Sequence, residues 1–548
     1  MAAGRSCFSG TAFQCGEGGE AVQEWWRTGV VYQIYPRSFQ DANGDGVGDL
    51  RGIERRLDYL VDLGVDAVWI SPFYPSPMAD FGYDVSDYCG VDPLFGTIGD
   101  FDRLLASAHA KGLKVLIDFV PNHTSDQHPW FIESRASRDN PKRDWYIWRD
   151  PKPGRETPTN WLSVFGGSAW SFDEATGQFF LHSFLPEQPD LNWRRPEVEA
   201  AMFEVLRFWL DRGVDGFRMD VLWYLIKDDR FRDNPTNPSF DPATCPPHLT
   251  LDPVYSSDRP ETLDIVRRMR RLLDGYEGQR VMVGETYLPI ARLAAWYGED
   301  LDAAHLPFNF KLIQTPWDPR AIDEIVRRYE AALPVGAQPN WVLGNHDNPR
   351  VASRWGPKRA RAAMVLLLTL RGTPTLYYGD ELGMTDVEVP PDRVRDPREK
   401  TQPGHGRDPE RAPMPWSWEA NAGFSAGDPW LPLWEGWRGG NVEAQSADPG
   451  SMLSLTKALL KLRRDEPALH SGAWEAMGVD GEILVYARVC EGRRFVVAVN
   501  FGAGAADVGV GGGEVAISTV CGREGEQAGS RIRLEGFEAM VVRCAGTG

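Results

Sequence analysis

The chain is poor in cysteine, short of cationic charge, and free of any long apolar run. Its 548 residues include seven cysteines, Cys7, Cys15, Cys89, Cys245, Cys490, Cys521 and Cys544. None forms a C-x-x-C pair, and an odd count in a long chain predicts free thiols in a reducing compartment, not a disulfide framework. The 59 Lys and Arg against 78 Asp and Glu give a formal charge of −19. That sign repels phosphate backbones and anionic lipid, so nucleic acid and membrane surfaces are excluded as partners. No stretch approaches the roughly 18 apolar residues of a spanning helix, and the first 24 residues lack a signal-peptide core. A cytoplasmic protein with a disordered extension over residues 1–24 is expected. No Walker loop and no H-E-x-x-H is present.

What is abundant is apolar and aromatic: 42% hydrophobic residues and 21 Trp, enough for a large core and for flat faces on which sugar rings stack. Strand and helix signals alternate, with strands at Val30 to Tyr35, Ala67 to Ile70 and Lys114 to Ile117 and helices near Arg51 to Leu63 and Phe101 to Lys111. Repeated βα order predicts a parallel barrel. The alternation lapses in a Trp-, Pro- and Gly-rich stretch over 124–192, read as a small domain inserted after strand three. It resumes with a helix over Glu197 to Asp211, a strand ending at Asp220, a helix near Thr262 to Leu273 and a strand ending at Glu285. Later units are Ala303 to Leu306, Arg320 to Ala332, Trp341 to Leu343, Ala360 to Leu370, Pro374 to Tyr377 and Ser451 to Leu462. From about Leu469 onward, runs such as Ile483 to Val489, Arg494 to Asn500 and Arg531 to Val542 with Gly turns predict an antiparallel β domain. The fold class is therefore α/β, a (β/α)8 barrel over 25–123 and 193–468 with an inserted domain and a C-terminal antiparallel β domain over 469–548. The Pro-rich segments 226–260 and 384–440 are long enough to shape access to a site.

Four short segments carry the chemistry: DFVPNH (Asp118 to His123), GFRMD (Gly216 to Asp220), GETY (Gly284 to Tyr287) and GNHD (Gly344 to Asp347). Each sets polar residues directly after an apolar run, and in a (β/α)8 barrel the C-terminal strand ends build the active site. Arg218 and Asp220, two apart on a strand, point to one side, and the guanidinium is expected to keep Asp220 ionised as a nucleophile. Glu285, on the next strand, suits a general acid/base whose pKa burial raises from about 4.3 towards roughly 6. Retaining glycosidases use such a pair about 5 to 5.5 Å apart. Asp347 adds a third carboxylate to hold sugar hydroxyls, and His123 and His346 supply further hydrogen bonds.

These motifs resemble the α-amylase family of glycoside hydrolases, and within it the α-glucosidase and oligo-1,6-glucosidase group, from about Trp25 to the C-terminus. The resemblance implies Asp220 as nucleophile, Glu285 as acid/base and Asp347 as transition-state stabiliser, with Asp118, His123, Arg218 and His346 completing the inner site. It implies that Tyr83 and Asp84, in FGYDV, bind the terminal glucose. Gln188, in QPDLN, looks like the version found in enzymes of short substrates. Val221 resembles members that accept α-1,6 linkages, although a packing role reads equally well. Arg407, in GRDPER, resembles an arginine set near the terminal glucose, with Arg411 as a second candidate. The expected activity is exo-acting release of glucose from small oligosaccharides or disaccharides, with transglucosylation as an accompanying reaction and no organic cofactor. A sucrose-type isomerase or transglucosylase is the alternative, although the region expected to hold its Arg-rich loop reads TPWDPR (Thr315 to Arg320). A non-catalytic transporter heavy chain is disfavoured by the three intact carboxylates.

Asp41, Asn43, Asp45, the carbonyl of Val47 and Asp49 offer oxygen at alternate positions around Gly46, as a hard cation requires. Calcium or magnesium is expected in a structural role, as in related α-glucosidases, although Gly52 stands where an EF-hand has Glu. GFSAG (Gly423 to Gly427) matches the G-x-S-x-G elbow, but surrounding prolines deny it the strand and helix that the elbow needs.

Overall fold

The computed structural model describes residues 24–243 and 245–545. All but the last residue of the expected extension therefore lies outside the described residues. Eight parallel strands follow one another around a barrel: β1 (Val31–Ile34), β2 (Ala67–Ile70), β3 (Lys114–Phe119), β4 (Gly216–Met219), β5 (Val281–Gly284), β6 (Leu306–Asn309), β7 (Asn340–Trp341) and β8 (Thr375–Tyr377). Neighbours in sequence are neighbours in the sheet, β8 pairs β1, and a parallel bridge from Val342 to Thr375 closes the ring.

The strands are buried on both faces, as in other parallel sheets covered by helices. Val31, Ala67, Trp69, Leu116, Val281, Val283, Leu306 and Phe308 form one cluster in the lumen. Their neighbours Tyr32, Val68, Ile70, Val115, Ile117, Phe217, Met219 and Met282 belong to the outer cluster under the helices. Because side chains alternate along a strand, Asp118, Arg218, Asp220 and Glu285 share the parity of the lumen residues and sit at its C-terminal mouth. Gly216 is required at the bottom of β4, since a Cβ there would lie 2.1 Å from the Val281 carbonyl oxygen.

Several boundaries depart from expectation for local reasons. The helix expected near Phe101 starts at Ile98 because Thr97 and Asp100 form a capping box. The helix expected over Arg51 to Leu63 is two, Leu50–Arg55 and Leu57–Leu63, separated at Arg56 (φ −102°, ψ 7°). Strand six was expected at Ala303 to Leu306; instead Ala303 and Ala304 turn back to donate to Tyr297 and Trp296, and pairing begins at Leu306.

After β3 the chain leaves the barrel and builds a three-stranded antiparallel sheet from Trp148–Arg149, Trp170–Asp173 and Gln178–Leu181. Lys227, in the loop after β4, ties both ends of this insertion, reaching Asp190 Oδ2 at 2.6 Å and Asn122 Oδ1 at 2.7 Å. Beyond the helix Met452–Asp465, antiparallel strands begin at Ala473. The run expected as one strand from Arg531 to Val542 is two: Arg531–Leu534 pairs with Ala506–Gly509, whereas Ala539–Cys544 joins the six-stranded sheet. Glu538 folds back between them, its carboxylate accepting the Glu535 N–H at 2.7 Å.

Candidate active site

A cavity of about 960 Å³ opens at the mouth of the barrel. Asp220, Glu285 and Asp347 line it, with Tyr83, His123, Gln188, Val221, His346 and Arg407. The segment 226–260 contributes Asn237, His248, Leu249 and Val254, so the first Pro-rich loop walls the cavity as expected.

Beneath the cavity floor lies Arg218, 1% exposed. Its Nη1 donates to Asp118 Oδ1 at 2.7 Å and to Asp220 Oδ1 at 2.6 Å, and its Nη2 lies 2.8 Å from Glu285 Oε2. Asp118 is not a cavity residue. It is fully buried and occupied by Arg218, by the Trp69 indole at 2.9 Å and by the Tyr83 hydroxyl at 3.2 Å. One cation thus serves three carboxylates. Burial raises the pKa of Asp118, Asp220 and Glu285 against the lowering pull of Arg218. This corrects the expectation that the Arg218 guanidinium keeps Asp220 ionised: burial pushes the Asp220 pKa up, the Arg218 charge is divided, and Glu285 and Asp118 push back. The three carboxylates therefore titrate as a coupled unit, pushed upward by burial and by one another and drawn downward by Arg218.

Asp347 faces a different field. Burial would raise its pKa, but His346, Arg407 and Arg411 outweigh it and hold the carboxyl far below the usual range. His346 is itself pushed down to about 3 by burial, so near neutral pH the two guanidiniums carry the effect. Each reaches Asp347 Oδ1 at 3.1 Å. The His346 ring stacks on Tyr83, with centroids 5.4 Å apart and planes 5° from parallel. Its Nδ1 meets the Gln33 amide at 2.7 Å and its Nε2 the Tyr83 hydroxyl at 2.8 Å. His123 is likewise lowered to about 4 by burial, and contacts the Gln188 amide at 3.1 Å.

Asp84 does not reach the cavity. Its carboxylate is turned into its own loop, accepting the N–H of Ala79 at 2.8 Å and of Asp80 at 2.9 Å. The acid on the cavity wall is Asp80, which sequence reasoning missed; it accepts Arg407 Nη2 at 2.7 Å and the Gln188 amide at 3.3 Å. Arg407 spans the space between Asp80 and Asp347 while Asp396 grips it at 2.8 Å. Asp396, too, was not anticipated; with Asp80, it becomes a site residue only through long-range closure.

The loop over 41–49 folds into successive side-chain-to-backbone turns. Asp41 accepts the N–H groups of Asn43, Gly44 and Gly46, Asn43 that of Asp45, Asp45 that of Val47, and Asp49 those of Ala42 and Gly52. Asp49 also caps the helix beginning at Leu50. Among the described residues, no three His, Cys, Asp or Glu side chains converge on a metal position. The GFSAG segment buttresses this loop, with Ser425 Oγ donating to Asp41 Oδ2 at 2.5 Å. It has no strand before it and no helix directly after it.

A barrel that gathers two cavity carboxylates on one guanidinium, faced by a third, has the equipment of a glycoside hydrolase. Among the described residues no helix is long and apolar enough to cross a membrane. The family described as alpha amylase, catalytic domain, matches residues 33–472. A probable alpha-glucosidase of Rhizobium meliloti (strain 1021) is 43% identical over 486 residues, covering 86% of this chain and 88% of that one. The oligo-1,6-glucosidase of Parageobacillus thermoglucosidasius is 38% identical over 517 residues, covering 87% and 90%. The crystal structure of the alpha-glucosyl transfer enzyme XgtA superposes with a TM-score of 0.90 at 42% identity, covering 95% of this chain and 100% of that one. The chain belongs to the α-amylase family and is a glycoside hydrolase.

Proposed function

We propose that this enzyme is a retaining, exo-acting α-glucosidase of short oligosaccharides. The observation that carries the reading is the bridge that Arg407 makes between Asp80 and Asp347 in the same cavity that Asp220 and Glu285 line. This bridge is read as the wall against which one terminal glucosyl unit, held by Tyr83, His123, Gln188 and His346, comes to rest. Asp220 attacks C1 while Glu285 protonates the departing oxygen; Glu285 then deprotonates water, which releases glucose from the Asp220 ester with net retention. Asp347, anionic throughout, is placed to hold sugar hydroxyls that tighten as positive charge develops on the ring. A common guanidinium makes the two reacting carboxylates near neighbours, in keeping with the roughly 5 to 5.5 Å that this mechanism uses.

Transglucosylation accompanies hydrolysis in this reading. The cavity lining includes Trp223, Leu249, Val254, Tyr287 and Leu288, apolar surface read here as favouring a sugar acceptor over water. Isomerisation is less well supported, because Trp317, within TPWDPR, packs on Trp355 and Phe501 instead of entering the cavity. Initial rates on maltose, isomaltose, sucrose, trehalose and maltotriose, with products and anomers tracked, test the assignment. Release of α-glucose one unit at a time is expected, with isomaltose turned over at a rate comparable to maltose if Val221 sets linkage. Internal cleavage or release of β-glucose overturns it.

For the loop over 41–49 the proposal remains a structural calcium or magnesium ion on Asp41, Asn43, Asp45, the Val47 carbonyl and Asp49. Its support is unbalanced charge: the Asp49 pKa is raised by burial, with Asp41 and Asp45 adding like-charge repulsion. A cytoplasmic location is likewise proposed, supported by a low cysteine content, seven in 548 residues with no C-x-x-C pair.

A further inference from the structure

The residue after the proposed nucleophile adopts a conformation that a β-branched side chain resists. Val221 has φ 36° and ψ 44°, in the left-handed region that is an outlier for valine and that persists only where surrounding structure imposes it. In this conformation its N–H donates to Oε2 of Glu285 at 2.9 Å. Arg218 Nη2 approaches the same oxygen at 2.8 Å. Among the described residues neither a hydrogen bond nor an ion pair engages Oε1. Strand β5 is shaped for this contact, since a Cβ on Gly284 would come within 3.2 Å of Leu222 Cδ1, the residue that seats the turn.

We propose that Val221 is a positioning residue for the acid/base: its N–H, together with Arg218, commits Oε2 of Glu285 as an acceptor, so that the transferable proton is carried on Oε1. A carboxyl oxygen has two lone-pair directions, and two donors fill both. The inference rests on the reading of Glu285 as acid/base. In the first displacement Asp220 Oδ2, the oxygen Arg218 leaves open, bonds to C1 as the glycosidic C1–O bond breaks. The Oε1 proton passes to the departing oxygen, and the charge left on Glu285 is met by two donors already in place. In the second step Oε1 recovers a proton from water, whose oxygen bonds to C1 as the Asp220 ester opens. The groups facing Glu285 are Arg218, Asp118, Asp220, Asp347, Tyr224 and Tyr287. Among them Arg218 favours its anion, as does the Val221 N–H, against burial, Asp347 and Asp118.

The test replaces valine 221 by its α-hydroxy acid, which keeps the side chain and deletes only the N–H. Maltose needs its leaving group protonated, whereas α-glucosyl fluoride needs little such help. The ester variant should lose about tenfold in kcat/KM on maltose, the scale of one lost charge-assisted hydrogen bond, and keep its rate on the fluoride. The basic limb of its maltose pH profile should move upward. Equal losses on both substrates, or an unmoved limb, overturn the proposal. Gly284→Ala, which crowds Leu222, gives a second route and should show the same selective loss at smaller size; a non-selective loss there counts against the proposal as well. Glu285→Gln separates the two levels of inference. If it spares the fluoride while the ester variant does not discriminate, only the role of Val221 falls; if it loses both substrates equally, the acid/base reading itself falls.

Discussion

Asp80 and Asp84 lie four positions apart and do unrelated work. Asp84 satisfies two backbone N–H groups of its own loop, so Asp84→Asn should cost about 1 to 3 kcal/mol of stability, the penalty for disturbing buried hydrogen-bonded groups, while kcat/KM stays within a few-fold. Asp80→Asn keeps the shape but weakens the grip on Arg407; kcat/KM should fall by about 100-fold, corresponding to about 2.7 kcal/mol, with little change in urea midpoint. Paired kinetic and unfolding measurements decide it, and a reversed pattern returns the glucose-binding role to Asp84. The reacting carboxylates were legible because each directly follows an apolar run, and strand parity then turned Asp220 and Glu285 to one side. Asp80 was not, because its meaning depends on Arg407, 327 residues away. No local pattern encodes which of two neighbouring acids such a partner will meet.

At the scale of the element, the helix Pro129–Ala136 starts from an unusual cap. His128 Nδ1 accepts the Trp130 N–H at 3.1 Å, which only the neutral ring can do. Its pKa is held down to about 4, first by burial and then by Lys142. The unfolded ring titrates near 6.5, so this contribution to stability is present above that pH and is lost as pH falls towards about 4. His128→Asn retains a capping acceptor but cannot titrate. Relative to wild type, its unfolding free energy should depend less on pH between 6.5 and 4, by up to about 1.4 kcal/mol per unit. Parallel slopes for the two proteins in that window, measured by urea unfolding, would refute it. Elements with strong local signals, such as β2 and the helix Pro196–Asp211, were readable almost to their ends. Strand six and the Arg531 to Val542 run were misread because apolar residues there continue through a turn, and tertiary pairing decides where the ladder begins.

The barrel and the C-terminal sheet form one body through a shared core. Leu484, Tyr486, Phe495, Val497 and Val541 belong to the same buried cluster as the outer faces of the barrel strands. Two buried arginines cross the junction, held by carbonyls; among the described residues neither makes a salt bridge, and Asp66 and Glu330 act on Arg463 and Arg488 only as background charge. Arg488 donates to the Thr369 and Leu469 carbonyls at 2.7 and 2.8 Å and to Gly472 at 2.8 Å, while Arg463 reaches Leu368 at 3.0 Å and Leu469 at 2.8 Å. Burial lowers the Arg488 pKa to about 9, yet it remains a cation at neutral pH, facing carbonyls that include the C-terminus of the helix Pro357–Thr369. Arg488→Met leaves those carbonyls without this donor and should destabilise the protein by about 2 to 5 kcal/mol. Because the apolar core is continuous, the loss should lower a single thermal transition and not divide it. Intrinsic tryptophan fluorescence reports mainly on the barrel and insertion, and far-ultraviolet circular dichroism on the whole chain. Their midpoints should coincide in wild type and shift together in the variant; separate midpoints in wild type would mean that the C-terminal sheet folds independently of the barrel that it covers.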